Sequence, residues 1–201
     1  GWRMRKIWID TETLGIDEKK YPLVQIAAVY EGQEFNGYCI YEGAVKCEAL
    51  ALMTNDYVAK TEAVNLTKEN KHHPEKLALD FLAFLKKAKA DNGGYKLTPA
   101  GHNVGFDLRH LDAFFERVGI IGVLNAFDYH TLDTMTLALT LKDMGLLALN
   151  QRLNLTALCE RFGVKLENAH DALADIKATA ELYSKMTAMI KRASAWAKIS
   201  G

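Results

Sequence analysis

Lys6-Ile7-Trp8-Ile9-Asp10-Thr11-Glu12-Thr13 begins as an apolar run and closes on two acids one residue apart. In a strand, residues i and i+2 point to the same side. Asp10 and Glu12 therefore share one face at the end of a first strand over Arg5–Asp10. Like charges that close repel, and each raises the pKa of the other. A hard cation between them relieves the repulsion. The C-terminal ends of strands are also where open α/β sheets bind ligands.

Outward from this strand the chain alternates strands and helices. Leu23–Tyr30 (LVQIAAVY) is nearly continuous apolar sequence, which predicts a second strand buried on both faces. Phe35–Tyr41 is a third strand, joined by a hairpin turn at Glu31-Gly32-Gln33-Glu34. Residues 42–73 resist reading beyond a short helix near Glu48–Met53. Pro74–Ala90 is a helix with proline at its first position, stopped by Asp91-Asn92-Gly93-Gly94. Lys96–His102 is strand four, and Pro99 marks it as an edge or an irregularity. Helix Phe106–Val118 follows, then strand five at Phe127–Asp133 and a helix to about Lys142. Leu155–Phe162 is a short helix ended by Gly163, and a last helix runs from about Asp171 to Lys198. The fold class is α/β, with a mixed sheet of about five strands flanked by helices.

The 201 residues suffice for one domain with a real core, and 1–201 is read as such. Gly1 to about Arg3 reads as a cloning remnant or frayed end before a natural start near Met4. Neither a signal peptide nor a membrane-spanning helix is expected. Cys39, Cys47 and Cys159 show no CxxC pairing, which argues against a disulfide framework or zinc site and for a reducing, cytoplasmic compartment. The 25 basic and 25 acidic residues cancel, which disfavours a protein that coats long nucleic acid by charge. An enzyme gripping a few nucleotides at an end is still allowed.

Two helices carry acids on their apolar side. Leu111, Phe114, Phe115 and Val118 make a core-facing stripe, and one turn back from Leu111 lies Asp107. Taken alone, Asp107 is a capping acid at a helix N-terminus. In the last helix Ile176, Thr179, Leu182, Tyr183, Met186, Met189 and Ile190 gather on one side, and Asp175 falls within that arc. A buried carboxylate without a partner is costly, and a cation shared with Asp10 fits more of the pattern than a distant lysine or arginine does. His170 lies just ahead of this helix and could accept a proton from water. His72, His73, His110 and His130 read as solvated histidines, while His102, beside the Asp107 segment, is open to either reading.

Three blocks together resemble the DEDDh 3′–5′ exonuclease family, the ribonuclease-H-like group that includes polymerase proofreading subunits and ribonuclease T. They are Ile9-Asp10-Thr11-Glu12-Thr13-Leu14-Gly15, Gly101-His102-Asn103-Val104-Gly105-Phe106-Asp107 and His170-Asp171-Ala172-Leu173-Ala174-Asp175. Leu155–Val164 adds to the likeness. The resemblance implies a ribonuclease-H-like sheet and metal-binding acids at Asp10, Glu12, Asp107 and Asp175. It also implies a general base at His170 and two divalent cations, Mg²⁺ or Mn²⁺. Asp133 matches a family acid read as a helix cap. Gln25 departs from relatives that carry glutamate there, and the tyrosine-rich late segment of oligoribonuclease-type relatives is missing.

The expected reaction releases nucleoside 5′-monophosphates from a free 3′ end. Thr11 and Thr13 would offer backbone N–H groups to the terminal nucleotide, with Asn103 beside them. Leu14 and Phe106 would wedge or stack against bases, or simply pack. Single-stranded DNA is favoured through the likeness to proofreading subunits, and RNA trimming is the alternative. An idle nucleic-acid-binding or polymerase-partner module and a small-substrate phosphatase are the rivals. Neither a polymerase partner nor a homodimer is legible in these residues.

Overall fold

The computed structural model describes residues 4–41, 46–54 and 73–200. The strands are β1 (Lys6–Thr13), β2 (Leu23–Tyr30), β3 (Gln33–Tyr38), β4 (Thr98–Gly101) and β5 (Leu132–Asp133). The helices are α1 (Ala49–Thr54), α2 (Pro74–Asp91), α3 (Val104–Arg117), α4 (Thr134–Asp143), α5 (Leu155–Phe162) and α6 (Ala172–Ser200). The strands form one mixed sheet in the order β3-β2-β1-β4-β5. β1, β2 and β3 pair antiparallel, whereas β4 and β5 run parallel to β1. This five-stranded α/β arrangement is the one the sequence implies.

β1 runs through the acids rather than stopping at Asp10, and its pairing with β2 becomes irregular between Glu12 and Thr13. The hairpin turn is tighter than expected. Tyr30 pairs with Gln33, so only Glu31 and Gly32 turn the chain, both at positive φ. Such a two-residue turn suits the twist of a hairpin. Strand five shrinks to two residues, with only an isolated bridge from Phe127 to Leu97 ahead of it. Pro99 is not at an edge, because β4 lies between β1 and β5. The short β5 reaches only Ala100 and Gly101, so Pro99 lies outside that ladder.

The sheet separates two layers. On one face Ile7, Ile9, Ile26, Ala28 and Tyr30 pack with Leu77, Phe81 and Leu85 of α2 and Leu111, Phe114 and Phe115 of α3. On the other, Ala27 meets Ala172 and Ile176 of α6, with Trp8 and Val29 alongside. A second cluster joins α6 to α4 and α5 through Leu182, Met186, Leu141 and Leu158. β2 is covered on both faces, as its apolar run predicts. Gly101 at the end of β4 is tightly enclosed: a Cβ there would lie 2.8 Å from the Ile9 carbonyl oxygen of β1 and 3.0 Å from Val104 Cβ of α3.

Of the least legible segment, 42–73, α1 agrees with the short helix read near Glu48–Met53. His72 and Gly1–Arg3 lie outside the described residues. Among the described residues no helix is long and apolar enough to cross a membrane. Cys39 and Cys159 are buried free thiols and Cys47 is an exposed one.

Candidate active site

The even residues of β1 face α6, and the pairing Asp10↔Ala27 and Glu12↔Gln25 carries that face onto β2. Asp10 and Glu12 are both half-buried there. Asp175, on the first turn of α6, comes down on the same face. Asp107 arrives from the other layer on the first turn of α3, which follows β4 directly. These are the ends of parallel strands and the starts of the helices after them, the region favoured for ligand sites.

Four acids converge on Asp10. Its carboxyl is raised well above the usual range, first by burial and then by the carboxylates of Asp107, Glu12, Asp175 and Asp171. Asp107 is only 3% exposed, and burial raises its carboxyl too. Thr11 works against that rise, because its backbone N–H and its hydroxyl both donate to Asp107 Oδ1, at 2.9 and 2.7 Å. Glu12, His170 and Asp175 each offer a ligand atom, all within 4.8 Å of one another. The set is rich in carboxylate oxygen and the charges on Asp10 are of one sign, so it fits a hard divalent cation.

His170 is exposed and sits at φ 69°, in the left-handed region, and its backbone N–H reaches Asp175 Oδ2 at 3.2 Å. The next residue is held firmly. Asp171 Oδ1 caps α6 through the Ala174 N–H, at 3.2 Å. Its Oδ2 accepts from the Tyr38 hydroxyl at 3.1 Å and from Gln25 Nε2 at 3.4 Å. Sequence reasoning missed Gln25, Tyr38 and Asp171 as part of the site. A glutamine inside the apolar run LVQIAAVY was the signal that could have found them, since buried polar groups need partners.

Several expectations for the substrate side change. The Thr11 N–H is taken up by Asp107 rather than directed at a nucleotide. Leu14 is completely buried, so it packs rather than wedges. Two residues on, Ile16 is 71% exposed, and exposure of this kind is not readable from residue type. The Thr13 hydroxyl donates to the Gly15 carbonyl at 2.9 Å. Phe106 is half-buried beside Asp107, and Asn103 is exposed at the start of α3.

The other histidines divide. His110 is 1% exposed rather than solvated; its ring lies 4.4 Å from that of Phe106, and its Nε2 is 3.0 Å from the Ile16 carbonyl oxygen. It thereby ties the loop after β1 to α3. His102 is structural, lying 2.8 Å from both Thr134 Oγ1 and the Leu153 carbonyl oxygen. His130 is exposed and pairs with Asp128, and His73 is exposed ahead of α2. Asp133 caps two helices, accepting from Met135 and Thr136 of α4 and from Asn103 and Val104 at the start of α3.

A family model described as exonuclease (RNase_T) matches residues 7–183. Ribonuclease T of Haemophilus influenzae (strain PittEE) is 27% identical over 207 residues, covering 96% of this chain and 83% of its own. Ribonuclease T of Hahella chejuensis (strain KCTC 2396) is 29% identical over 196 residues, covering 94% and 85%. Among solved structures, E. coli exonuclease I in complex with a dT13 oligonucleotide superposes with a TM-score of 0.72 at 17% identity. That match covers 96% of this chain and 43% of exonuclease I, so the chain spans less than half the length of that protein. A likeness at this identity speaks for the fold.

Proposed function

Because the chain belongs to the exonuclease family, the DEDDh 3′–5′ exonucleases, we propose that it removes nucleoside 5′-monophosphates from the 3′ end of single-stranded DNA. The observation that carries this reading is the meeting of Asp10, Glu12, Asp107 and Asp175 with His170 beside them. In this reading the four acids hold divalent cations, Mg²⁺ or Mn²⁺. When bound, such ions neutralise charge on the phosphate and acidify a water.

The chain's own groups do the rest. Thr11 fixes Asp107 with its two donors, so the acid from α3 is oriented before substrate arrives. His170 takes the proton from the attacking water as the new O–P bond forms. The bond from phosphorus to the 3′ oxygen of the preceding nucleotide breaks, and that oxygen takes up a proton from solvent. Phe106, next to Asp107, stacks on the terminal base. Thr13 and Asn103 stay on the substrate side of the site.

The preference for DNA draws on the oligonucleotides bound to the exonuclease I structures, described as dT13 and dA16. The relatives named ribonuclease T support a second reading, RNA 3′-end trimming. Degradation of 5′-labelled single-stranded DNA, single-stranded RNA and duplex DNA, with Mg²⁺, Mn²⁺ or chelator, tests both. The account expects a ladder that shortens from the 3′ end only with metal, fastest on single-stranded DNA. Faster loss of RNA would select the second reading. Cleavage in chelator, or release of inorganic phosphate alone, would overturn both.

A further inference from the structure

We propose that Gln25, Tyr38 and Asp171 are positioning residues that set the pose of His170, a reading that rests on His170 acting as the general base. The three come from distant parts of the chain but meet at one place. Gln25 lies directly across from Glu12 on one side and from Tyr38 on the other. Directly opposed residues share a sheet face, so Glu12, Gln25 and Tyr38 form a row under the start of α6.

Every polar atom of the Gln25 amide is used. Nε2 donates to Asn36 Oδ1 at 2.9 Å and to Asp171 Oδ2 at 3.4 Å, while Oε1 accepts from the Ala172 N–H at 3.4 Å. Gln25 is 1% exposed, and its bond from the Ala172 N–H is buried. Tyr38 adds the shorter bond to Asp171, at 3.1 Å. Asp171 in turn closes the turn before it, donating its own N–H to the Asn168 carbonyl at 3.0 Å.

This turn needs holding. Asn168 and His170 both adopt positive φ, a conformation that side-chain-bearing residues rarely take up. His170 itself is exposed, so packing does not fix it. The strap from β2 and β3 to Asp171 leaves the imidazole one residue from an anchored carboxylate. The Asp175 contact to the His170 N–H holds the other side.

The test is a double-mutant cycle on the intact chain with a labelled single-stranded oligonucleotide. Gln25→Leu and Tyr38→Phe are each combined with His170→Ala, and kcat, KM and Mn²⁺ binding are measured. With His170 present, Gln25→Leu should lower kcat by about 10-fold or more, because small misplacements of a catalytic group are costly. KM and Mn²⁺ binding should hold. With His170 already removed, the same change should do almost nothing, since residues acting through one group are not additive. Tyr38→Phe, on the edge strand, should repeat the pattern more mildly if Gln25→Leu folds poorly. Asp171→Asn, which keeps the acceptor oxygen, should retain more activity than Asp171→Ala. Equal losses with and without His170, or no loss, would overturn the strap while leaving the exonuclease reading intact. No effect of His170→Ala itself would remove His170 as the general base and the strap with it, while the cleavage still measured would leave the exonuclease reading standing.

Discussion

At the scale of single residues, Asp10 lies in an environment that opposes its own charge. Burial comes first and four carboxylates add to it. Replacing it with asparagine should lower cleavage by at least about 100-fold, the size of effect seen when one fixed charge-stabilising group is lost from a site. The same change should raise the melting temperature of the metal-free chain near pH 8, because it removes repulsion that serves function rather than folding. Kinetics and thermal melts in chelator check the two halves; a variant that is active, or less stable without metal, would contradict the assignment. Asp107 could be read as buried from its place one turn before Leu111, since helical periodicity reports burial well. Its partner could not, because Thr11 lies far away in sequence and its bonds depend on how α3 crosses the end of β1. Leu14 was open between wedging and packing for a related reason: apolar character says nothing about which of Leu14 and Ile16 turns outward.

At the scale of elements, the site depends on two helix starts set by one side chain. Asp133 satisfies N–H groups of α4 and of the α3 start that carries Asp107. Loss of one cap costs about 1 kcal/mol, so Asp133→Ala should cost about 2 kcal/mol. Urea unfolding would measure that loss, and catalysis should fall as well because α3 shifts. Asp133→Asn, which keeps an acceptor, should lose less; equal losses would argue against the double cap. β2 and α5 were legible almost to the residue, because continuous apolar sequence and a Gly163 stop are local signals. β5 was not. Phe127–Asp133 has strand-like residues, but pairing needs a neighbour, and β4 offers one only at Ala100 and Gly101.

At the scale of the whole molecule, the site lies where two layers meet across the sheet, with Asp107 from the α3 side and Asp175 from the α6 side. Folding must therefore bring like charges together, and pH should reveal it. Carboxyls raised in the folded state add stability that is full below their unfolded pKa and lost as pH climbs through the folded value. Asp10 and Asp107 are both raised, so the metal-free chain should lose stability as pH rises through that range. A divalent cation binds the ionised form, so its stabilising effect should be small at about pH 5 and large at about pH 8. Melting curves with Mn²⁺ and with chelator that stay parallel across this range would contradict the linkage. The fold class and the identities of the metal-binding candidates were legible from three short blocks, whereas the strap behind His170 required the pairing of β1, β2 and β3 to be known. The most direct measurement is calorimetric titration of Mn²⁺ into the chelator-stripped chain and its Asp10→Asn variant at about pH 8. The account predicts about two ions bound per wild-type chain and weakened or lost binding in the variant. No binding to the wild-type chain, or equal binding to both, would contradict it.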